Sequence, residues 1–100
     1  MEVTITKQDN SIVAVVEGRV DTVTAKDFET KMMELLQGEC LNIVLDCEKM
    51  SYISSSGLRS FLILQKGINA KKGKLVLRSM SSSIKEIFNI TGFSSIFTIE

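Results

Sequence analysis

Ser54-Ser55-Ser56-Gly57-Leu58 is the stretch of this sequence best equipped for chemistry. Three hydroxyls stand directly before an apolar run that includes Phe61, Leu62, Ile63 and Leu64. A helix beginning there leaves its first N–H groups unpaired and partly positive. Such a place welcomes a phosphate, so a hydroxyl just outside the first turn is modifiable without breaking the fold. The same serines also make ordinary N-caps, and spacing alone favours that plainer role.

Other chemistries find little support. The chain has no histidine, hence no imidazole base, no Ser-His-Asp triad and no histidine metal site. The GxSxG, GxGxxG and GxxxxGK[ST] patterns are absent. Ser82-Ser83-Ile84-Lys85 has the SxxK spacing of serine–lysine nucleophiles but lacks their companion motifs, and a serine opening a helix reads as a cap. Cys40 and Cys47 form no CxxC motif, and two thiolates do not close a zinc site. Flanking an apolar segment, both read as buried small side chains. No catalytic residue, metal or cofactor is expected.

The elements around the serines follow from periodicity. Val3-Thr4-Ile5-Thr6 alternates as a half-exposed edge strand does. After an Asp9-Asn10 turn, Ile12 to Val16 is continuously apolar, which predicts an interior strand covered on both faces and ended by Gly18. Asp21 and Thr22 are N-cap types for a helix whose stripe is Ala25, Phe28, Met32, Leu35 and Leu36. Gly38 is placed to end it in a left-handed cap. Leu41 to Leu45 reads as a strand ending at Asp46, and a loop through Met50, Tyr52 and Ile53 leads to the serines. The helix over residues 56–66 should be largely buried. Beyond Gly73, Lys74 to Arg78 is a strand, and Ser81 to Ser83 cap a helix carrying Ile84, Ile87 and Phe88, closed by Gly92. Ile96 to Ile99 is a last short strand.

The order β-β-α-β-α-β-α-β implies parallel crossovers and an α/β fold, a mixed four- to five-stranded sheet covered by helices. Helices should start near Thr22, Ser56 and Ser82, with Val13, Val15, Phe28, Leu45, Leu62, Val76 and Phe88 inside. One hundred residues make a single domain, 1–100. At this size roughly 60–70% of the unfolded chain's surface can be buried without staples. Apolar residues at 44% and charged residues at 24% exclude disorder.

Twelve basic and twelve acidic residues balance, which argues against a general nucleic-acid or anionic-membrane binder. The first fifty residues carry five basic and ten acidic side chains, the last fifty seven and two. Lys66, Lys71, Lys72 and Lys74 supply much of that excess, as a solvated rim or a steering patch. No signal peptide, lipidation motif or apolar run of about 18 residues appears, so a cytoplasmic protein without membrane insertion is expected.

Leu45-Asp46, Met50 and Ile53-Ser54-Ser55-Ser56-Gly57-Leu58 resemble the signature of the STAS family, the bacterial anti-sigma-factor antagonists. Its usual form is a strand ending in Leu-Asp, then Asp-Ser-Ser/Thr-Gly-Leu opening an apolar helix. Glu17-Gly18-Arg19-Val20-Asp21-Thr22-Val23-Thr24-Ala25 is similar to the family's Gly-x-Leu-Asp-x-x-Thr/Asn-Ala turn. Gly73 to Leu77, with Thr91-Gly92-Phe93, makes a weaker third match, and the three span nearly the whole chain in order.

The resemblance implies a module that is substrate and binding partner, never catalyst. Unphosphorylated, it would bind a serine-kinase anti-sigma factor and release the sigma factor. That kinase would phosphorylate it with ATP, and a serine phosphatase would reset it. Gly57-Leu58 sets the register, placing Ser55 at the phosphorylated position and Ser56 after it. Ser54 stands where the family commonly has Asp, which removes one carboxylate beside the acceptor. Asp21 matches the family's acidic turn residue, and a plain helix cap explains it equally well. Asp21, Ser54, Ser56 and Gly57 would line the contact surface, with Arg59 as a neighbour. The same fold also serves as a subunit of lipid-transport complexes or as a stress-signalling scaffold, uses that need no phospho-switch.

Overall fold

The computed structural model describes residues 1–39 and 41–100; the expected burial of Cys40 lies outside the described residues. The chain runs β1 (Glu2–Gln8), β2 (Ser11–Val20), α1 (Ala25–Leu36), β3 (Asn42–Asp46), β4 (Met50–Ile53), α2 (Ser55–Ala70), β5 (Lys74–Arg78), α3 (Ser82–Ile90), a 3₁₀ turn (Phe93–Ser95) and β6 (Thr98–Ile99). The α/β class and the mixed sheet are as expected, with one further strand in what the sequence suggests is a loop. In spatial order the sheet is β1-β2-β3-β5-β6, and β4 pairs with the far end of β2. Among the described residues β1 and β2 pair antiparallel and the remaining pairings are parallel.

Along β2-β3-β5-β6 the strands step across the sheet in one direction, with a helix in each of the three crossovers; β4, reached from β3 by a short turn, folds back to pair with β2. Right-handed crossovers therefore place all three helices on one face. Burial follows. Ile12, Ala14 and Val16 of β2, Ile43 and Leu45 of β3, and Leu75 and Leu77 of β5 are buried on the helical side. Val13 and Val15 alternate with them and are only half-buried. The two-sided cover expected for β2 is thus corrected: its apolar run serves a one-sided sheet and packs valine on valine across the open face, Val13 beside Val44 and Val44 beside Val76. Leu62 is likewise half-buried, on the outer flank of α2, whereas Phe28, Leu45, Val76 and Phe88 are buried as expected.

Phenylalanines lock the helices to one another. Phe61 of α2 stacks on Phe28 of α1 at 4.9 Å between centroids and meets Phe88 of α3 at 6.0 Å. Phe97, just before β6, packs edge-on against Phe88 at 5.5 Å. Each such pair adds about 0.5–1.5 kcal/mol beyond area burial.

Two glycines differ from expectation. Gly18 does not end β2. It sits inside the strand with φ +87°, at a bulge where the pairing register shifts, and its N–H reaches the Lys49 carbonyl at 2.9 Å. The extra twist lets one long strand pair first with β3 and then with β4. Gly38 does not take the left-handed cap conformation, and Gln37 closes α1 in the right-handed region. Instead the Lys71 ammonium donates to the carbonyls of Leu36 and Gly38. A cation on the last carbonyls complements the helix dipole, so one lysine of the basic cluster is structural. No helix among the described residues is long and apolar enough to cross a membrane.

Candidate functional site

The serines lie at the carboxyl ends of the parallel strands, where open α/β sheets usually place their sites. Asp46 starts the path to them. Its Oδ1 accepts the Glu48 N–H at 3.1 Å, turning the chain out of β3, and its Oδ2 meets Arg78 at 3.3 Å. The chain then re-enters the sheet as β4. At its end the Ser54 N–H donates to the Val20 carbonyl at 2.9 Å, fastening the start of α2 to the end of β2. Ser54 is the N-cap: its hydroxyl accepts from Gly57 N–H at 3.1 Å and its carbonyl from Leu58 N–H at 2.9 Å. Serine is a good N-cap type, and at this position it closes the start of α2.

The three hydroxyls have different surroundings. Ser54 is half-buried and committed to its cap. Ser56 is half-buried in the groove between α1 and α2. Ser55, the first residue of the helix, is exposed. Among the described residues its hydroxyl forms no hydrogen bond. Gly57 is buried, and a Cβ there would lie 2.6 Å from the Val20 carbonyl oxygen and 2.8 Å from Ile53 Cγ1. It therefore cannot present a contact surface as the sequence suggested. Its absence of a side chain lets the helix start sit against β2 and holds Ser55 in place.

The neighbouring turn is built around Asp21. Its Oδ1 accepts N–H groups of Val23 at 3.0 Å and Thr24 at 3.1 Å, and its own N–H donates to Thr24 Oγ1 at 2.9 Å. Arg19 Nε approaches Oδ2 at 3.4 Å. The Thr24 N–H, opposed by partial desolvation and helped by Arg19, holds the Asp21 carboxyl below the usual aspartate range. Asp21 is a turn-capping residue, ahead of the N-cap Thr24 itself. At 27% exposure its side chain still reaches the surface. Because Asp21 follows Val20, whose carbonyl holds Ser54, the two turns are adjacent.

Sequence reasoning missed three contributors. The Arg19 guanidinium lies 4.4 Å from the centroid of Tyr52, its cross-strand partner, beside the Asp21 turn. Val23 projects from that turn 86% exposed. Buried Ser60 places its hydroxyl 3.2 Å from the carbonyls of Ala25 and Ser56, linking α1 to α2. Only the Asp-x-x-Thr pattern at 21–24 hints at this turn, and nothing local marks Tyr52 or Ser60. Arg59 is exposed and lines a shallow groove of about 310 Å³ with Thr22, Lys26, Glu29, Ser56 and Ile63.

The other reactive candidates lead nowhere. Ser82 and Lys85 are exposed on α3. Cys47 is fully buried, and desolvation, reinforced by nearby Asp46, pushes its thiol up to about 12. That thiol stays protonated and inert.

An α/β sheet with helices on one face, and an exposed serine at a helix start beside an Asp-capped turn, define a STAS-type module. The STAS domain family model matches residues 2–100, and the chain belongs to that family. BtrV of Bordetella bronchiseptica, described as an anti-sigma factor antagonist, is 33% identical over 99% of this chain and 85% of its own length. A Thermotoga maritima crystal structure also described as an anti-sigma factor antagonist superposes with a TM-score of 0.91 at 17% identity, over 97% of this chain and 84% of the other. The anti-sigma factor antagonist SpoIIAA, solved in its unphosphorylated form, gives a TM-score of 0.77 at 18% identity, over 99% and 87%. Its phosphorylated form gives 0.76 at 19%, over 99% and 91%.

Proposed function

We propose that this protein is an anti-sigma-factor antagonist switched by phosphorylation of Ser55. Unphosphorylated, it binds a serine-kinase anti-sigma factor, and the sigma factor held there is released. The kinase transfers the γ-phosphoryl group of ATP to Ser55 Oγ; ADP leaves, and the hydroxyl proton passes to the kinase. A serine phosphatase hydrolyses the ester and resets the module. The chain supplies the acceptor and the docking surface and catalyses nothing itself. Asp21, Ser54 and Ser56 shape that surface, Arg59 borders it, and Gly57 acts from below by seating the helix.

One observation carries this reading: of three consecutive serines, only Ser55 is exposed with an uncommitted hydroxyl. A transferase needs a hydroxyl it can reach and a product the fold accepts. Phosphoserine brings about −1.5 to −2 charges, and the first-turn N–H groups of a helix are favourable company for them. BtrV and SpoIIAA, both described as anti-sigma factor antagonists, lend the reading its biological frame.

Site-localised mass spectrometry after incubation with the cognate kinase and ATP tests it. Phosphate should appear on Ser55, and Ser55→Ala should abolish the product. A major product on Ser56 or Ser54 would refute the assignment.

A further inference from the structure

We propose that Arg59 is the internal counter-ion of the phosphate on Ser55, so that modification both adds charge to the docking surface and withdraws an arginine from it. This rests on the reading of Ser55 as the acceptor. Arg59 lies four residues beyond Ser55 on α2. Positions i and i+4 share one helix face, and side chains lean toward the helix N-terminus, which carries the guanidinium toward Ser55. Both residues are exposed, and no ion pair among the described residues involves Arg59. The first turn of α2 contains no acid.

An arginine near the positive end of a helix, with no carboxylate beside it, is electrostatically misplaced in the unmodified protein. Phosphate at Ser55 corrects this. Its oxygens match the planar fork of guanidinium donors, and such charge-assisted hydrogen bonds are the strong ones. The other charges facing this region are mixed. Lys26 of α1 shares the groove and favours the dianion, whereas Glu29 opposes it. Asp21 is already engaged by Arg19 and its own turn. Arg59 is the one cation on the acceptor's own helix face within a turn of it.

The test installs phosphoserine at position 55 by genetic encoding and follows its second ionisation by ³¹P NMR. Removing the counter-ion in Arg59→Gln should make the phosphate a weaker acid by about twofold or more, the scale of an i, i+4 ion pair. Arg59→Lys should keep part of the effect. Lys66→Gln, exposed on the same helix about 10 Å further along, should leave the titration unchanged. Identical titration of wild type and Arg59→Gln overturns the proposal, as does an equal shift in Lys66→Gln. Because no kinase is used, a kinase choosing another serine would defeat the functional reading without touching this result.

Discussion

Two helices in this protein open with three serines, and only one of those openings is seated directly against the sheet. Ser54 caps α2 by accepting from Gly57 N–H at 3.1 Å, and Ser81 caps α3 by accepting from Ile84 N–H at 3.3 Å. Ser55 and Ser82 are both exposed first residues. What differs is the seat. Three residues past its cap, α2 has buried Gly57 under the Val20 carbonyl, and Ser54 N–H is tied to that same carbonyl. The Asp21 turn stands alongside. At the matching position α3 has Ile84, an apolar anchor that keeps the backbone a side chain's width away, and Ser81 and Ser83 are themselves exposed. A serine-rich cap is common chemistry; a cap pressed onto the sheet beside a second ordered turn gives a partner a fixed surface.

The largest effect should come from that seat. Gly57→Ala puts a carbon 2.6 Å from a backbone oxygen that cannot move without disturbing β2. It should cost about 3 kcal/mol in urea unfolding, while Ser83→Ala on α3 stays within about 0.5 kcal/mol. Similar losses would mean that the α2 opening is no more tightly seated than that of α3. The caps should differ less. Ser54→Ala should lose about 1 kcal/mol and Ser81→Ala clearly less, because water replaces the cap more readily at an exposed end. A larger loss at Ser81 would reverse the ranking.

Much of this was legible in the residues. Helix starts were marked by capping serines, and α1 and α3 by their apolar spacing, because those signals are local. The site serines could be placed at the head of a helix for the same reason. What escaped depends on contacts far apart in the chain. Ile12 to Val16 looks the same whether one face of the strand is covered or two, and only the one-way march of the strands decides it. Gly18 reads as a terminator until a second partner strand requires a bulge. Lys71 capping α1, Ser60 bridging two helices and Arg19 lying over Tyr52 each join residues 33 to 35 positions apart. Among Ser54, Ser55 and Ser56, exposure separates Ser55, the proposed acceptor, from its neighbours, and exposure is a property of the fold.

The central claim is that phosphate on Ser55 blocks docking while leaving the module folded. Its most direct test is calorimetric titration of the kinase anti-sigma factor with unmodified and Ser55-phosphorylated protein, paired with thermal melting of both. A phosphate of about −1.5 to −2 charges keeps a net negative charge even with one arginine beside it; burying that remainder against a partner costs several kcal/mol, and every 1.4 kcal/mol is tenfold in affinity. The account predicts binding weaker by about a hundredfold or more with a melting temperature nearly unchanged. Equal affinities, or a phosphorylated form that has lost its cooperative melt, would contradict it.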